Sequence, residues 1–220
     1  PGDARVVRDG NFLAVLASEE VIAEAAAARV AARAAWDAED SLPESAEAWL
    51  RGAPGEDSVV IERADAAADA AETLRARFFR PFVAHASIGT CCAVARWEGE
   101  QLEVWSHSQG IYNLRADLAK ALSMPEERIL VRHVEGAGCY GHNGADDVAL
   151  DAALAARAAP GLPVRLLWSR AEELGWAPFS SAMLVEIEAE TDAAGDLVAW
   201  RQQVISQGHS SRPGRNPKPA

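Results

Sequence analysis

The alternation of apolar and polar positions predicts both strands and helices along this chain of 220 residues. Residues 182–190 and 197–206 alternate with a period of two, which is typical of strands with one solvent-facing side. Further strands are predicted at residues 4–7, 12–17, 58–62, 83–97, 102–106, 129–133 and 163–168, and helices at residues 18–36, 64–79, 113–123, 145–158 and 170–174. The pattern indicates an α+β protein without a regular series of strand–helix–strand units.

A polar stretch punctuated by proline and glycine, residues 38–58, interrupts the periodic segments. Such composition predicts a linker, so we place a domain boundary there. The predicted domains are therefore residues 1–37 and 59–208. The tail, residues 209–220, has no packing pattern.

Composition limits the classes of partner, metal site and compartment that we expect for this chain. The formal net charge of −12 argues against a nucleic-acid partner, which requires a basic surface to neutralise phosphates. Cys91, Cys92 and Cys139 lack the C-x-x-C spacing of a zinc or iron–sulfur site, so we expect no cluster on this chain. No signal peptide or membrane-length apolar run is evident, which favours the cytoplasm unless an export signal lies upstream of Pro1.

A loop with four glycines joins the strand at residues 129–133 to the helix at residues 145–158. Three of them match the dinucleotide-binding pattern G-x-G-x-x-G, but that fold needs an acidic residue about 20 positions further on, where the chain has Ser169 and Arg170. A P-loop would need lysine and Ser/Thr where His142 and Asn143 stand. The glycines are Gly136, Gly138, Gly141 and Gly144.

Both motifs share a physical principle that this loop keeps. Glycines let a backbone approach a ligand closely, and a helix N-terminus offers N–H groups to an anion. The loop therefore predicts either a phosphate-bearing cofactor or a tight turn without a ligand. Asp146 and Asp147 are interpreted as first-turn helix acids, and Cys139 as a small buried residue.

Three stretches together carry a resemblance to a known family. They are the segment from Arg80 to Gly144, the segment PVRLLWSRAEEL and the segment from Ala4 to Asp37. In this order they resemble the molybdenum-cofactor-binding large subunit of the xanthine dehydrogenase and aldehyde oxidase family. The loop Cys-Tyr-Gly-His-Asn-Gly is similar to the branch with nicotinate dehydrogenase and isoquinoline oxidoreductase-like subunits. The resemblance implies the end of an α/β hammerhead domain followed by a mixed α/β molybdopterin-binding domain.

The resemblance also implies roles for individual residues. Gln109 falls where the family's glutamine approaches the oxo ligand of molybdenum, and its amide can donate to an oxygen without ligating the metal. The alternative for Gln109 is an amide that caps the following helix. No residue is expected to ligate a metal, and His85 is expected to be structural. The implied cofactor-binding residues are Gly136, Gly138, Tyr140, Gly141 and His142, although His142 and Asn143 replace a commoner Gly-Lys or Gly-Arg pair.

In that family, an aldehyde or N-heterocycle is hydroxylated with oxygen from water, and a glutamate in the C-terminal part acts as base. That part is absent here, so we expect the isolated chain to be inactive and to hold no stoichiometric iron. The implied cofactor is molybdopterin, including its cytosine dinucleotide form. The implied partners are the rest of the molybdenum subunit, an iron–sulfur subunit, an FAD or cytochrome subunit, and a small-molecule substrate. The alternatives are a non-catalytic scaffold of the same fold and a nicotinamide dinucleotide-binding dehydrogenase.

Overall fold

The computed structural model describes residues 3–37, 43–63, 69–141 and 144–207. Their elements, in chain order, are β1 (Arg5–Asp9), β2 (Phe12–Leu16), α1 (Glu20–Ala31), α2 (Ala46–Gly52), β3 (Glu72–Arg80), β4 (Cys92–Glu98), β5 (Gln101–Ser106), α3 (Ile111–Leu122), a 3-10 turn (Glu126–Arg128), β6 (Ile129–His133), α4 (Ala145–Ala156), β7 (Val164–Leu167), α5 (Arg170–Trp176), β8 (Met183–Thr191) and β9 (Leu197–Ser206). The predicted α+β class is confirmed. Within the described ranges, no helix has the length and apolar character needed to cross a membrane.

The described residues form two compact units. The first takes its residues from Pro1–Asp40 and Ala84–Pro178, and the second from Ser41–Val83 and Phe179–Ser211. The first unit contains a four-stranded sheet of order β6-β5-β4-β7 and the hairpin β1-β2. The second contains the sheet β3-β8-β9. The domain boundaries predicted from the sequence stay a prediction.

Strand direction in the four-stranded sheet brings several connections to one edge. Strands β5 and β6 are parallel, with Ser106 opposite His133, and β4 runs antiparallel to both β5 and β7. Cys92, at the start of β4, therefore pairs with Leu167 at the end of β7. The segments before β4 and after β5, β6 and β7 all meet at this edge.

Helix α4 anchors the core of the first unit. Its alanines Ala149, Ala152, Ala153 and Ala156 are fully buried, and the helix contacts β4, β5 and β7. Side chains this small allow close approach of helix and sheet, and the Trp97 indole Nε1 donates to the Ala153 carbonyl at 2.8 Å. The close packing fixes the helix, and with it the end of the glycine loop that precedes it.

The second unit confirms the alternation that predicts β8 and β9. One side of its sheet is charged, with Glu188 paired to Arg75 at 2.7 Å and to Arg201 at 3.3 Å. The other side is apolar and carries side chains that are half or more exposed in the described part of the chain. These are Leu74 at 53%, Phe78 at 59%, Trp200 at 55% and Val204 at 50%.

Several predicted elements are wrong. The expected helix at residues 64–79 is strand β3 over its described second half, and residues 64–68 lie outside the described ranges. Alanine dominates the first half of that segment, whereas the apolar residues of the second half alternate as a strand requires. The expected strand at residues 58–62 has no regular structure, and the strand expected from residue 83 begins only at Cys92.

Two helix starts also differ from expectation. The predicted linker contains α2, whose N-cap Ser45 accepts a hydrogen bond from the Ala48 N–H at 3.2 Å. At α1 the N-cap is Glu19, and Ser18 instead donates its backbone N–H to the Asp3 carboxylate at 3.0 Å. The helix predicted from residue 18 therefore begins at Glu20.

Candidate functional site

The glycine loop, defined as residues 134–144, leaves β6 and enters α4. The Val134 N–H donates to the Ser106 carbonyl at 3.0 Å, so the pairing with the β5 chain continues into the loop. The backbone is left-handed at Gly138, Tyr140 and Gly141, with φ of 102°, 54° and 133°. Tyr140 is 68% exposed, and His142 and Asn143 lie outside the described residues.

The glycines of this loop face side chains of the protein itself. A Cβ on Gly141 would lie 2.2 Å from Nε2 of His85, and one on Gly136 would lie 2.8 Å from Cβ of His107. Both distances are far below van der Waals contact. A side chain at position 141 would therefore collide with the His85 ring, which occupies that direction.

The end of the loop is equally constrained. A Cβ on Gly144 would lie 2.4 Å from the Trp168 ring, and the indole Nε1 of Trp168 donates to Asp151 Oδ2 at 3.0 Å. Gly144 is the N-cap of α4 and uses no side-chain cap. A larger residue at Gly144 would displace the buried Trp168 ring.

Gln109 lies in a different loop from these glycines, yet at the same edge of the sheet. Its side chain is exposed, and α3 begins at N-cap Gly110 with no side-chain capping bond. The Gly110 N–H donates instead to Oγ of Ser108 at 3.1 Å. The N-cap position of α3 is therefore held by the Ser108 hydroxyl, and both interpretations of Gln109 stay predictions.

Two buried serines tie the Gln109 segment to the glycine loop. The Ser106 hydroxyl donates to the Ala145 carbonyl at 3.2 Å and accepts from the Ser108 N–H at 3.1 Å. The ring Nδ1 of His133 donates to the Ser108 carbonyl at 3.0 Å. The sequence analysis missed these serines. Their positions could have indicated a role, because Ser106 ends a buried strand and Ser108 follows two residues later.

A buried histidine and a buried thiol lie at this edge of the sheet. Burial lowers the pKa of His107, and its Nε2 accepts from the Cys92 N–H at 3.4 Å, so the ring is neutral at pH 7. Burial raises the pKa of the Cys91 thiol to about 12, with Glu173 adding to the effect. Cys139 is half-buried rather than buried. Within the described ranges, no three His, Cys, Asp or Glu side chains could hold a metal ion together.

The structure thus brings together most of the predicted site residues. Gln109 follows β5, whereas Gly136, Gly138, Tyr140 and Gly141 follow its parallel neighbour β6. The predicted site residue His142 lies outside the described part of the chain. His85 packs against the loop and donates through Nδ1 to the Pro178 carbonyl at 3.1 Å, consistent with the structural role expected for it.

The arrangement defines a domain that presents an exposed backbone loop and one exposed amide side chain at the same edge of its sheet. A family model described as the molybdopterin cofactor-binding domain matches residues 52–215, so the chain belongs to this family. The matched range includes the glycine loop and Gln109.

Known relatives and structures agree with this membership. The chain is 37% identical over 205 residues to one of the subunits of nicotinate dehydrogenase from Pseudomonas putida, covering 91% of this chain and 17% of the relative. It is 30% identical over 152 residues to the aldehyde oxidoreductase molybdenum-binding subunit PaoC of Escherichia coli, covering 69% of this chain and 20% of that protein. The fold is similar to that of quinoline 2-oxidoreductase from Pseudomonas putida 86, with a TM-score of 0.64, 22% identity, and coverage of 92% of this chain and 30% of that one.

Proposed function

We propose that the glycine loop and Gln109 form one wall of the molybdenum-cofactor site. The observation that carries this proposal is their common position: both follow adjacent parallel strands at one sheet edge, and both are solvent-exposed. The donor set suits an anionic pterin group. The Gln109 amide can donate to an oxygen without binding metal, and left-handed residues at Gly138 and Tyr140 allow successive N–H groups to converge on an anion.

The loop backbone, rather than the N-terminus of α4, carries the binding. Asp146 and Asp147 occupy the first turn of α4, where their carboxylates already balance the helix dipole. The Gly144 N–H interacts with the Cys91 thiol. An anion approaching the helix end would therefore meet two acids, whereas the backbone from Gly136 to Gly141 carries no acidic side chain.

We further propose that the complete enzyme hydroxylates an aldehyde or N-heterocycle with oxygen from water. The bound cofactor would supply the redox chemistry of that reaction. Gln109 would donate a hydrogen bond toward an oxygen at the metal, and the loop would orient the pterin. The names of the relatives, a nicotinate dehydrogenase and an aldehyde oxidoreductase, support this substrate range.

The chain spans less than a quarter of the length of these relatives, so the remaining walls are assigned to other parts of an assembly. We propose that these include the rest of the molybdenum subunit, an iron–sulfur subunit and an FAD or cytochrome subunit. The cofactor form proposed is the cytosine dinucleotide, and the compartment is the cytoplasm.

Cofactor analysis of the complete enzyme tests the proposal. The complex is purified, its molybdenum is counted per subunit, and its pterin is released by oxidation and identified by fluorescence. Stoichiometric molybdenum and pterin are expected. Bound nicotinamide dinucleotide without pterin would favour the dehydrogenase alternative, and the absence of both would favour the scaffold.

A further inference from the structure

Arg170, the first residue of α5, reaches a segment that precedes β4. Its Nη2 donates to the carbonyl oxygens of Ser87 and Ile88, at 2.6 Å and 2.9 Å. The Ser87 hydroxyl, itself buried, donates to the Gly89 carbonyl at 3.0 Å. Three successive carbonyl groups of this segment therefore accept hydrogen bonds from side chains.

Arg170 in turn forms an ion pair with a buried glutamate. Its Nη1 donates to Oε2 of Glu173 at 3.2 Å, and the Glu173 side chain is only 3% exposed. Ser169 and Glu172 form a complete capping box that fixes the start of α5. A buried carboxylate paired with a rigid guanidinium gives the arginine one preferred direction.

The segment that Arg170 holds packs against the glycine loop at two points. A Cβ on Gly89 would lie 2.9 Å from Cβ of Ala137, and a Cβ on Gly141 would lie 2.2 Å from Nε2 of His85. The backbone between these contacts includes Ala86, which has a left-handed φ of 44°. This conformation is costly for alanine and persists only where neighbouring contacts determine it.

We propose that Arg170, oriented by Glu173, is a positioning residue that holds the glycine loop in its cofactor-binding conformation through the Ser87–Gly89 segment. The part of this inference that concerns the cofactor rests on the proposed function. Without the guanidinium, Ser87 and Ile88 lose the donor to their carbonyls, Ala86 relaxes, and the packing against Ala137 and Gly141 loosens. The core of the unit, which lies at α4 and the sheet, keeps its contacts.

The test compares Arg170→Ala, Arg170→Lys and Glu173→Gln in the complete enzyme. Two quantities are measured: amide hydrogen exchange of residues 136–141, and molybdenum per subunit. Arg128→Ala is the matched control, because Arg128 also pairs with a glutamate, Glu100, but lies at the opposite end of β6. Arg170→Lys keeps a positive charge beside Glu173, and Glu173→Gln keeps the arginine. These two variants can still be compared with the wild type if Arg170→Ala fails to fold.

In Arg170→Ala, loop exchange should accelerate about tenfold or more, since hydrogen bonds to charged groups stabilise by at least that factor. Molybdenum content should fall, and the melting temperature should fall more than in the control, because Arg170→Ala leaves the buried Glu173 carboxylate unpaired whereas Glu100 is exposed. Arg170→Lys keeps a cation beside Glu173, so it should recover part of the melting temperature, of the loop protection and of the molybdenum content. Unchanged loop exchange would overturn the inference, and so would full molybdenum content despite faster exchange. If the wild-type enzyme itself holds no molybdenum, the proposed function fails, and the exchange data alone decide whether Arg170 holds the loop.

Discussion

The ring of His85 lies where a side chain at position 141 would begin. A Cβ on Gly141 would stand 2.2 Å from Nε2 of His85, and the His85 ring is fixed on its other side by donation from Nδ1 to the Pro178 carbonyl at 3.1 Å. Gly141 also has a φ of 133°. Glycine is therefore required at position 141 for two reasons: the backbone has a positive φ, and a larger residue would collide with His85.

Gly141→Ala should destabilise the chain more than a glycine substitution that only strains the backbone. Gly161→Ala is the matched control, because Gly161 also has positive φ, 80°, but its Cβ would meet nothing within 4 Å. Each left-handed alanine costs about 1–2 kcal/mol, and the collision with His85 adds to this only at position 141. Denaturant unfolding of both variants measures the difference.

A double-mutant cycle identifies the cause. His85→Ala combined with Gly141→Ala should be more stable than the two separate losses predict, because the collision disappears. Additive losses would show that the His85 ring moves aside at no cost. In that case position 141 would be limited by φ alone.

Gln109→Ala should leave the fold intact and lower turnover of the complete enzyme. Gln109 is exposed and precedes Gly110, the N-cap of α3, so stability should change little. Loss of one donor to a developing charge costs about 3 kcal/mol in comparable sites, which is a decrease of about a hundredfold in turnover. Gln101→Ala, which changes another exposed glutamine at the far end of β5, is the control. Unchanged turnover with full molybdenum content would remove Gln109 from the site.

Sequence reasoning succeeded where local pattern and tertiary packing agree. The apolar run at residues 129–133 and the small-residue helix from Ala145 both form as predicted, and they place the glycine loop correctly. It failed at β3, where the alanines upstream outweighed the alternation of Leu74, Ala76 and Phe78.

The partners of the glycines could not be predicted. Gly136 and Gly141 face His107 and His85, which lie 29 and 56 residues earlier in the chain, and no local signal joins residues so far apart. The spacing of the glycines predicted either contact with a ligand or a tight turn without one. The structure adds a second requirement, that the loop pack closely on side chains beneath it.

Ser106→Ala should lower the free energy of unfolding by about 1–3 kcal/mol, because it removes two buried hydrogen bonds and the acceptor of the Ser108 N–H. The two bonds join the Ser106 hydroxyl to the Ser108 N–H and to the Ala145 carbonyl. Ser108→Ala is the comparison, since the Ser108 hydroxyl accepts from a single backbone group, the Gly110 N–H, at 3.1 Å. Denaturant unfolding should rank Ser106→Ala as the more damaging change. The opposite order would show that the Ser106 bridge does not stabilise the junction of the two segments.

Asp151→Asn should stabilise the chain at neutral pH. Burial raises the pKa of the Asp151 carboxyl, and the hydrogen bond from Trp168 only partly offsets this. A raised folded-state pKa means that folding favours the protonated acid. The stability from this group is therefore complete below the unfolded value of 3.8 and is lost as the pH rises through the folded value.

Asparagine keeps an oxygen acceptor for the Trp168 N–H, at 3.0 Å in the wild type, and removes the buried charge. The melting temperature of Asp151→Asn should exceed that of the wild type at about pH 7, and the gain should shrink toward about pH 3. Asp151→Ala is the control, because it removes both the charge and the acceptor and leaves the Trp168 N–H unpaired. It should therefore melt below Asp151→Asn at both pH values. A gain that is independent of pH would show that the carboxylate charge is not its source, and that Trp168 beneath Gly144 is stabilised by packing alone.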